Sequence, residues 1–305
     1  MNTKDTELKP SDFYTVEELV YNYKKYTSDI TKKKIELGLP MIDSLTRGLR
    51  PKEVMTFQAG TGIGKSAIIQ NILQHYTKKT GELTLFFTLE MSNEEIFERM
   101  VQIEMDLPGY EVEDRFLKND QGFIMKCLEL KEVLKNFVVI ERRIDINILG
   151  VFVSAIERHF ETKAGLICID HLLLLENPAL NSNEYMKVTD SMKKIKSFAL
   201  EDKKPVIVLS QVSRNDVRNG IDLYSGKGSG EIENSSNFVL SLQKITAENA
   251  KKHGIELDVL SKKEEQKISL MVISLLKNRR GKTGSCILEF ERRNLRITES
   301  RLNYR

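Results

Sequence analysis

The chain has 305 residues, enough for one large α/β core with a terminal extension, and 30% of them are charged. No apolar run approaches the roughly 20 residues that cross a bilayer, and the polar start of the chain lacks a signal-peptide core, so we expect a cytoplasmic protein with no membrane partner. A net charge of +3 does not by itself indicate a polyanion partner, and the isolated Cys127, Cys168 and Cys286 favour buried thiols over disulfides or metal ligands.

The first predicted element is a helix close to the N-terminus. Thr15 and Glu18 have the spacing of a capping box. The apolar residues that recur at helical intervals after it are Val16, Leu19, Val20 and Tyr23. We predict a helix of about 12 residues that ends at Tyr26, followed by a charged linker over 27–36. Periodicity leaves two arrangements open, because this helix either folds back on its own domain or docks on a neighbouring subunit.

A glycine-rich loop with a Lys-Ser ending lies between an apolar run at 54–57 and a helical pattern that starts at Ala67. Its residues are Ala59, Gly60, Thr61, Gly62, Ile63, Gly64, Lys65 and Ser66. This order of strand, loop and helix is typical of a P-loop, whose backbone N–H groups hold phosphates at a helix N-terminus. Lys65 would reach the β- and γ-phosphates, and the Ser66 hydroxyl would bind Mg²⁺. Ala59 replaces the usual first glycine, and a chance glycine-rich turn is the alternative.

Downstream of the loop, apolar runs alternate with helical patterns. The predicted strands lie at 83–89, 137–140, 166–169 and 206–209. The P-loop helix is predicted to end near Gly81, and further helices begin at Ser92, fill most of 107–135, and span 148–160 and 182–201. This alternation predicts an α/β fold with a mainly parallel sheet and helices on both of its faces.

The chain changes character after Gln211. Residues 212–234 are polar and rich in glycine, so we predict a mobile loop there. A strand at 238–242 and a charged excursion over 244–267 come next. Two last strands, at 268–276 and 285–290, flank the basic turn 277–284 and form a predicted C-terminal β-hairpin.

Polar side chains end three of the predicted buried strands, and in an open α/β sheet ligands bind beyond these ends. Asp170 follows Leu-Ile-Cys-Ile in the form of a Walker B residue, which would hold Mg²⁺ together with Ser66. Glu90 is suited to orient or deprotonate an attacking water, and Gln211 to sense the γ-phosphate through its amide. An ordinary polar strand cap is the alternative for each of the three.

The basic turn holds two further candidates, Lys277 and Arg279. A charge run of this kind is commonly a solvated hairpin. Its functional interpretation is an arginine finger that reaches the γ-phosphate of a neighbouring subunit and stabilises charge in the transition state. If this interpretation holds, ATP hydrolysis requires a ring of subunits.

Several of these stretches, taken together, resemble the C-terminal RecA-like ATPase domain of DnaB-type hexameric replicative helicases. The similar stretches are 39–43, 48–51, 87–92, 169–172, 209–214 and 277–281, together with the P-loop. They occur in the order of that family and cover about residues 35–298. The elements Leu-Glu-Met-Ser and Lys-x-Arg-x-Gly are more specific than the P-loop, because other ATPases of this fold generally lack the pair.

The resemblance implies a RecA-like P-loop NTPase domain over 35–305, preceded by a tail and linker helix over 1–34. It implies ATP and Mg²⁺ as cofactors, Glu90 as the catalytic glutamate, Asp170 as the Walker B residue and Gln211 as the sensor. Lys277 and Arg279 would act in trans. Residues 212–232 occupy the place of the family's DNA-binding loops, and the basic residues implied to contact DNA are Arg214, Arg218 and Lys227.

The function implied by the resemblance is an ATP-dependent DNA helicase of replication that forms a hexameric ring and moves 5′ to 3′ on single-stranded DNA. Two alternatives stay open: a RecA-like recombinase or repair ATPase that forms filaments, and a nucleotide-binding scaffold that loads another helicase. The chain departs from the family at His171 and Leu173, where Tyr and Gln are more usual. It also shows no counterpart of the helical domain that normally recruits primase, which leaves the primase and helicase-loader partners open.

Overall fold

The computed structural model describes residues 14–88, 90–172, 175, 183–213, 216–217, 220–226 and 228–304. The chain divides into two units, Met1–Lys34 and Ile35–Arg305. Among the described residues, no helix is both long enough and apolar enough to span a membrane.

The N-terminal unit contains one long helix, α1, at Val16–Lys33. The predicted capping box forms: the Thr15 N–H donates to Glu18 Oε2 over 2.7 Å, and the Glu18 N–H donates to Thr15 Oγ1 over 3.3 Å. The predicted end at Tyr26 is wrong, because the helix continues through residues assigned to the linker. That stretch contains no glycine or proline to end a helix, and its lysines suit the negative end of the helix dipole.

A nine-stranded sheet forms the centre of the described part of the second unit. Its strands are β1 Val54–Ala59, β2 Leu83–Thr88, β3 Phe137–Ile140, β4 Ala164–Asp170, β5 Val206–Gln211, β6 Phe238–Lys244, β7 Ile268–Asn278, β8 Gly284–Glu291 and β9 Arg296–Glu299. Their order is β3-β2-β4-β5-β1-β6-β7-β8-β9. The pairs from β3 to β6 are parallel and those from β6 to β9 are antiparallel, which confirms the predicted mainly parallel sheet and C-terminal hairpin.

Helices cover both faces of this sheet. They are α2 Pro40–Thr46, α3 Lys65–Thr80, α4 Asn93–Met105, α5 Gly109–Leu117, α6 Gln121–Leu134, α7 Leu149–His159, α8 Glu184–Glu201, α9 Ser229–Ser235 and α10 Leu257–Glu265. Short 3₁₀ helices occur at Ile146–Ile148, Ala250–His253 and Arg301–Tyr304. The predicted capping box at Ser92 is present and opens α4.

Two segments are more ordered than their composition indicated. Part of the predicted loop 212–234 is the helix α9, whose Ile232 is fully buried. The charged excursion 244–267 contains α10, which packs through Leu260 against Leu270 and Val272 of β7. In both cases a few apolar side chains stabilise the segment by packing on the sheet, although its overall composition is polar.

The core lies in two layers, one on each face of the sheet. On one face Met55 and Phe57 of β1 pack with Ile69 and Leu73 of α3. On the other face the apolar side chains belong to α7, α8 and the strands β4 and β5. Every residue of β1 is buried, as expected for a central parallel strand covered on both sides.

A buried ion pair joins α7 to the residues that lead into β5. Lys204 Nζ donates to Glu157 Oε1 and also to the Ala164 carbonyl over 3.2 Å. Glu157 has two further donors, the Ala164 N–H at 2.9 Å and the exposed Lys163 ammonium at 2.8 Å. The carboxylate therefore keeps partners if Lys204 is removed, whereas the Lys204 ammonium keeps one carbonyl if Glu157 is removed.

We predict that Glu157→Met lowers the free energy of unfolding by about 3–5 kcal/mol, because it leaves a buried ammonium without a counter-charge. Lys204→Met should cost clearly less, and Lys163→Met, at the exposed lysine, less than about 1 kcal/mol. Urea unfolding of the three variants measures this order. Equal losses for Glu157→Met and Lys204→Met would contradict the asymmetry.

Candidate functional site

The loop between β1 and α3 has glycines at two positions that a larger side chain does not fit. Gly64 has φ +105°, and a Cβ there would lie 3.2 Å from the Phe290 ring. A Cβ at Gly60 would lie 2.5 Å from the Val217 side chain. Larger residues would therefore strain or displace the loop. Because α3 begins directly after Gly64, its first backbone N–H groups have no partner within the helix and can bind an anion.

Asp170 is fully buried beside the loop, at the end of β4. The Ser66 hydroxyl donates to Asp170 Oδ2 over 2.9 Å, and Lys65 Nζ lies 3.3 Å from Asp170 Oδ1. Within the described part of the chain Oδ1 accepts no hydrogen bond, so the contact with Lys65 is an ion pair without hydrogen-bond geometry. A buried carboxylate with a free oxygen beside a hydroxyl group fits a hard cation such as Mg²⁺.

Glu90 and His171 lie close to Asp170. Strands β2 and β4 pair so that Thr88 is opposite Asp170, which brings Glu90 to the same edge of the sheet. One potential ligand atom from each of Glu90, Asp170 and His171 lies within 4.8 Å of the other two. Glu90 is exposed and the other two residues are buried. The Glu90 carboxylate can thus face a bound molecule from the solvent side while Asp170 lies underneath.

His171 was noted in the sequence as a departure from the related family, without a role. The structure places its ring, which is 6% exposed, next to the carboxylate cluster. Burial lowers the pKa of His171, and the nearby Lys65 lowers it further, against the opposing effect of Asp170 and Glu90. His171 is therefore neutral near pH 7. Its closeness to Glu90 is a property of the folded chain that local sequence does not reveal.

Gln211 lies at the edge of the P-loop. It is the last residue of β5 and pairs in register with Ala59, the last residue of β1. Its side chain is exposed, and its Nε2 donates to Thr61 Oγ1 over 2.7 Å. The amide is thus held at the loop by one exchangeable hydrogen bond, where it could turn to a phosphate oxygen.

A cleft of about 660 Å³ opens over the loop. Its far wall is one face of α4, together with the ring of Phe290 and the side chain of Leu295. The α4 residues that line it are Glu95, Glu98, Arg99 and Gln102. Sequence reasoning missed this wall, although the residues follow the i, i+3, i+4, i+7 spacing of a single helical face.

Lys277 and Arg279 lie at the opposite end of the sheet from the P-loop. The Arg279 N–H donates to the Asn237 carbonyl, and the Asn237 N–H donates to the carbonyl of Val54, the first residue of β1. The P-loop follows Ala59 at the other end of β1, which is about 17 Å away at the usual rise per residue. The structure therefore does not bring these two cations into the nucleotide cleft of their own chain.

The three basic residues expected to contact DNA, Arg214, Arg218 and Lys227, lie outside the described residues, as does Leu173. Their roles stay predictions.

Comparison with known proteins decides the family. The sequence model for the DnaB-like helicase C terminal domain matches residues 34–299. The chain belongs to this family. Two curated relatives are the replicative DNA helicase DnaB of Mycoplasma pneumoniae, 27% identical over 279 residues, and the replicative DNA helicase DnaC of Bacillus subtilis, 26% identical over 299 residues.

The DnaB-like domain is shorter than these relatives. The alignments cover 88% and 95% of this chain but 57% and 60% of the two relatives. The chain thus spans about three-fifths of the length of the curated relatives it matches.

Solved structures confirm the RecA-like fold. The ATPase domain of G40P superimposes with a TM-score of 0.76 at 18% identity, covering 94% of this chain and 99% of that one. A DnaB-like replicative helicase studied for its interactions with primase gives a TM-score of 0.74 at 19% identity, with coverages of 94% and 67%. A KaiC-like protein of Pyrococcus horikoshii gives 0.57 at 16% identity, with coverages of 88% and 98%. At these identities the likeness concerns the fold.

In the unchanged protein we expect Mg²⁺ to strengthen ADP binding by about 10-fold or more. We predict that Asp170→Asn abolishes this effect of Mg²⁺, because it removes the carboxylate that faces Ser66. ADP affinity without Mg²⁺ should change little. Calorimetric titration with and without the metal measures both values. Glu94→Gln, at an exposed carboxylate in the first turn of α4, is the matched control. Mg²⁺-strengthened binding in Asp170→Asn would contradict the assignment.

Proposed function

We propose that this DnaB-like domain is the motor of a ring-forming DNA helicase of replication, which hydrolyses ATP while it moves along single-stranded DNA. One observation carries the proposal. The groups for nucleotide binding and hydrolysis lie at the carboxyl ends of the parallel strands, the nucleotide edge, and Lys277 and Arg279 lie at the opposite ends of these strands, the cation edge. A site split between two edges is complete only between two subunits. The relatives named as replicative DNA helicases support the same activity.

Each group at the nucleotide edge has a role that its position supports. The N–H groups of the loop and Lys65 hold the phosphates, and Lys65 exchanges its ion pair with Asp170 for a phosphate oxygen. Ser66 and Asp170 would hold Mg²⁺, which would neutralise charge on the phosphates. Glu90, exposed at the mouth of the cluster, orients the attacking water and accepts its proton. Gln211 leaves Thr61 and donates to the γ-phosphate.

The ring follows from the two edges. A contact between the nucleotide edge of one subunit and the cation edge of the next is heterologous. Such contacts produce a ring when the rotation from each subunit to the next closes after a full turn. Lys277 and Arg279 of one subunit then face the γ-phosphate held by its neighbour. We propose six subunits, as in the DnaB-type family. The side chains of Val16, Leu19, Val20 and Tyr23 on α1 are exposed and suit docking on an adjacent subunit, which would close the ring.

DNA would pass through the centre of this ring. Arg214, Arg218 and Lys227 are the proposed contacts, and they would track the backbone without reading the bases. The direction of movement, 5′ to 3′, is proposed from the family alone. Primase and a helicase loader are candidate partners for direct binding experiments.

Two other functions use the same fold. A recombinase would form open filaments and pair strands without separating a fork. A loader scaffold would bind nucleotide without needing Glu90, Asp170 and Gln211 together at the cleft. The juxtaposition of these three groups with the P-loop favours a hydrolysing motor over the scaffold, and the membership in the DnaB-like family favours a helicase over the recombinase.

The first test measures ATP hydrolysis and strand separation in the same reaction on forked duplexes. We expect unwinding that scales with hydrolysis and requires a free 5′ tail. Lys65→Ala should abolish both activities, because it removes the ammonium that holds the phosphates. Hydrolysis stimulated by DNA without strand separation would favour the recombinase, and absence of hydrolysis would favour the scaffold.

Glu90→Gln should lower the rate of ATP hydrolysis by about 100-fold or more, because the amide cannot accept a proton from water. ATP affinity should stay close to that of the unchanged protein. Steady-state hydrolysis and binding of a fluorescent ATP analogue measure the two effects. Hydrolysis that survives in Glu90→Gln would exclude this residue as the base.

Arg279→Ala should reduce hydrolysis by roughly 10³-fold, since the charge on the transferred phosphate loses its partner. Mixed with unchanged protein, the variant should inhibit beyond simple dilution, because each altered subunit disables the site of its neighbour. Lys282→Ala, in the same basic turn, is the matched control and should only dilute. A loss proportional to the fraction of Arg279→Ala would argue against action in trans.

A further inference from the structure

Lys277 and Arg279 already have partners within their own chain. Lys277 Nζ donates to the carbonyl of Glu233, and Arg279 Nη2 donates to the carbonyl of Asn234 over 2.6 Å. Both carbonyls belong to the last turn of α9, where carbonyl groups have no partner within the helix. Two cations at this end also complement the negative end of the helix dipole. Together the two side chains therefore cap α9.

Only the side-chain ends of these two residues take part in the cap, while the turn that carries them is anchored elsewhere. Arg280 donates through Nη2 to the Gly48 carbonyl and to Glu53 Oε2, and its guanidinium lies 4.8 Å from the centre of the Phe238 ring. Asn278 Nδ2 donates to the Leu45 carbonyl over 3.0 Å. Lys277 and Arg279 can therefore leave α9 by rotating their side chains, without moving the turn.

Electrostatic repulsion between Lys277 and Arg279 weakens the cap. Burial lowers the pKa of Lys277, and the nearby Arg279 lowers it further, against the opposing effect of Glu233. The ammonium is thus partly dehydrated and lies beside a like charge. A more negative partner, such as a phosphate, can compete with the two carbonyls for these cations.

Helix α9 connects this cap to the polar segment before it. The hydroxyl groups of Ser236, just after the helix, and Thr56 of β1 lie 2.7 Å apart in a buried hydrogen bond. On the other side of α9, the Ser225 carbonyl accepts a hydrogen bond from Gln58 Nε2 over 3.2 Å. Residues 226 and 228–235, which include α9, therefore lie between two attachments to β1, one of which is next to the cap.

We propose that Lys277 and Arg279 alternate between two binding sites, the C-terminus of α9 in their own chain and a nucleotide bound in the adjacent subunit. The nucleotide competes for the two cations and removes them from α9. When the cations leave, α9 loses its cap, and the chain between the attachments at Ser225 and Ser236 loosens. This device rests on the proposed action of the two cations in trans. It would let the segment proposed to contact DNA respond to the nucleotide state of the next subunit.

Amide hydrogen exchange of the full chain without nucleotide tests the cap by itself. The double variant Lys277→Met/Arg279→Ala should exchange roughly five-fold faster over 231–236 than the unchanged protein, as expected for a lost net hydrogen bond. Lys282→Met, whose side chain has no partner among the described residues, should exchange like the unchanged protein. Unchanged exchange in the double variant would overturn the proposal, whatever its hydrolysis rate.

Arg279→Lys separates the two roles of the residue. A lysine still carries a cation to the carbonyls of α9, so we expect protection of 231–236 close to that of the unchanged protein. It lacks the planar fork that binds a phosphate through two nitrogens, so hydrolysis should still fall. Protection lost to the same extent as in the double variant would contradict capping by charge.

The competition is tested by adding a non-hydrolysable ATP analogue and Mg²⁺ to the assembled protein. Exchange over 231–236 should rise to the level of the double variant, and Lys65→Ala should show no response. Faster exchange in the double variant with no response to bound analogue would mean a fixed cap and would overturn the competition. Inhibition in the mixed Arg279→Ala assemblies tests action in trans separately, so failure of that role and failure of the cap are distinguishable.

Discussion

The parallel register of β2, β4, β5 and β1 is the constraint on which the nucleotide edge depends. Parallel strands bring their carboxyl ends to one side of a sheet, so residues far apart in the chain meet there. The pairing of Thr88 with Asp170 brings Glu90 to the Asp170 carboxylate, and the pairing of Ala59 with Gln211 brings an amide to the glycine-rich loop. A shift of one residue in either pair would separate these groups and turn alternate side chains to the other face.

The sheet also explains why the cations of the basic turn lie elsewhere. Strand β7 runs antiparallel to β6, so the chain returns to the edge opposite the P-loop before it reaches Lys277. This reversal turns one domain into a unit with a nucleotide edge and a cation edge. Neither edge is a complete site alone, which is the geometric reason for the proposed assembly, in which each subunit would complete the site of the next.

The described residues on either side of α9 are held to the sheet more firmly than the polar composition of this segment indicates. Gln58 and Thr56 are polar residues in a wholly buried strand, and both use their side chains to hold the segment through Ser225 and Ser236. Buried polar groups need partners, so these contacts stabilise the fold and at the same time position α9. The helix lies where the cation edge and this segment meet.

Much of the fold and of the nucleotide edge could be predicted because the signals are local. The P-loop, the strand ends at Glu90, Asp170 and Gln211, and the alternation of strands and helices follow from periodicity and from residue types at short spacing. The predicted RecA-like fold is confirmed by the family and by the solved structures. The end of α1 was misjudged because a charged composition does not stop a helix that lacks glycine and proline.

The contacts that only the tertiary structure decided join residues that are distant in sequence. They include the closeness of His171 to Glu90, the α4 wall of the cleft, and the contacts of Lys277 and Arg279 with the C-terminus of α9. No local pattern encodes these contacts, because strand order and register determine which distant residues meet. The sequence by itself therefore determined the chemistry available at each strand end, and the packing of the sheet decided which of those groups act together.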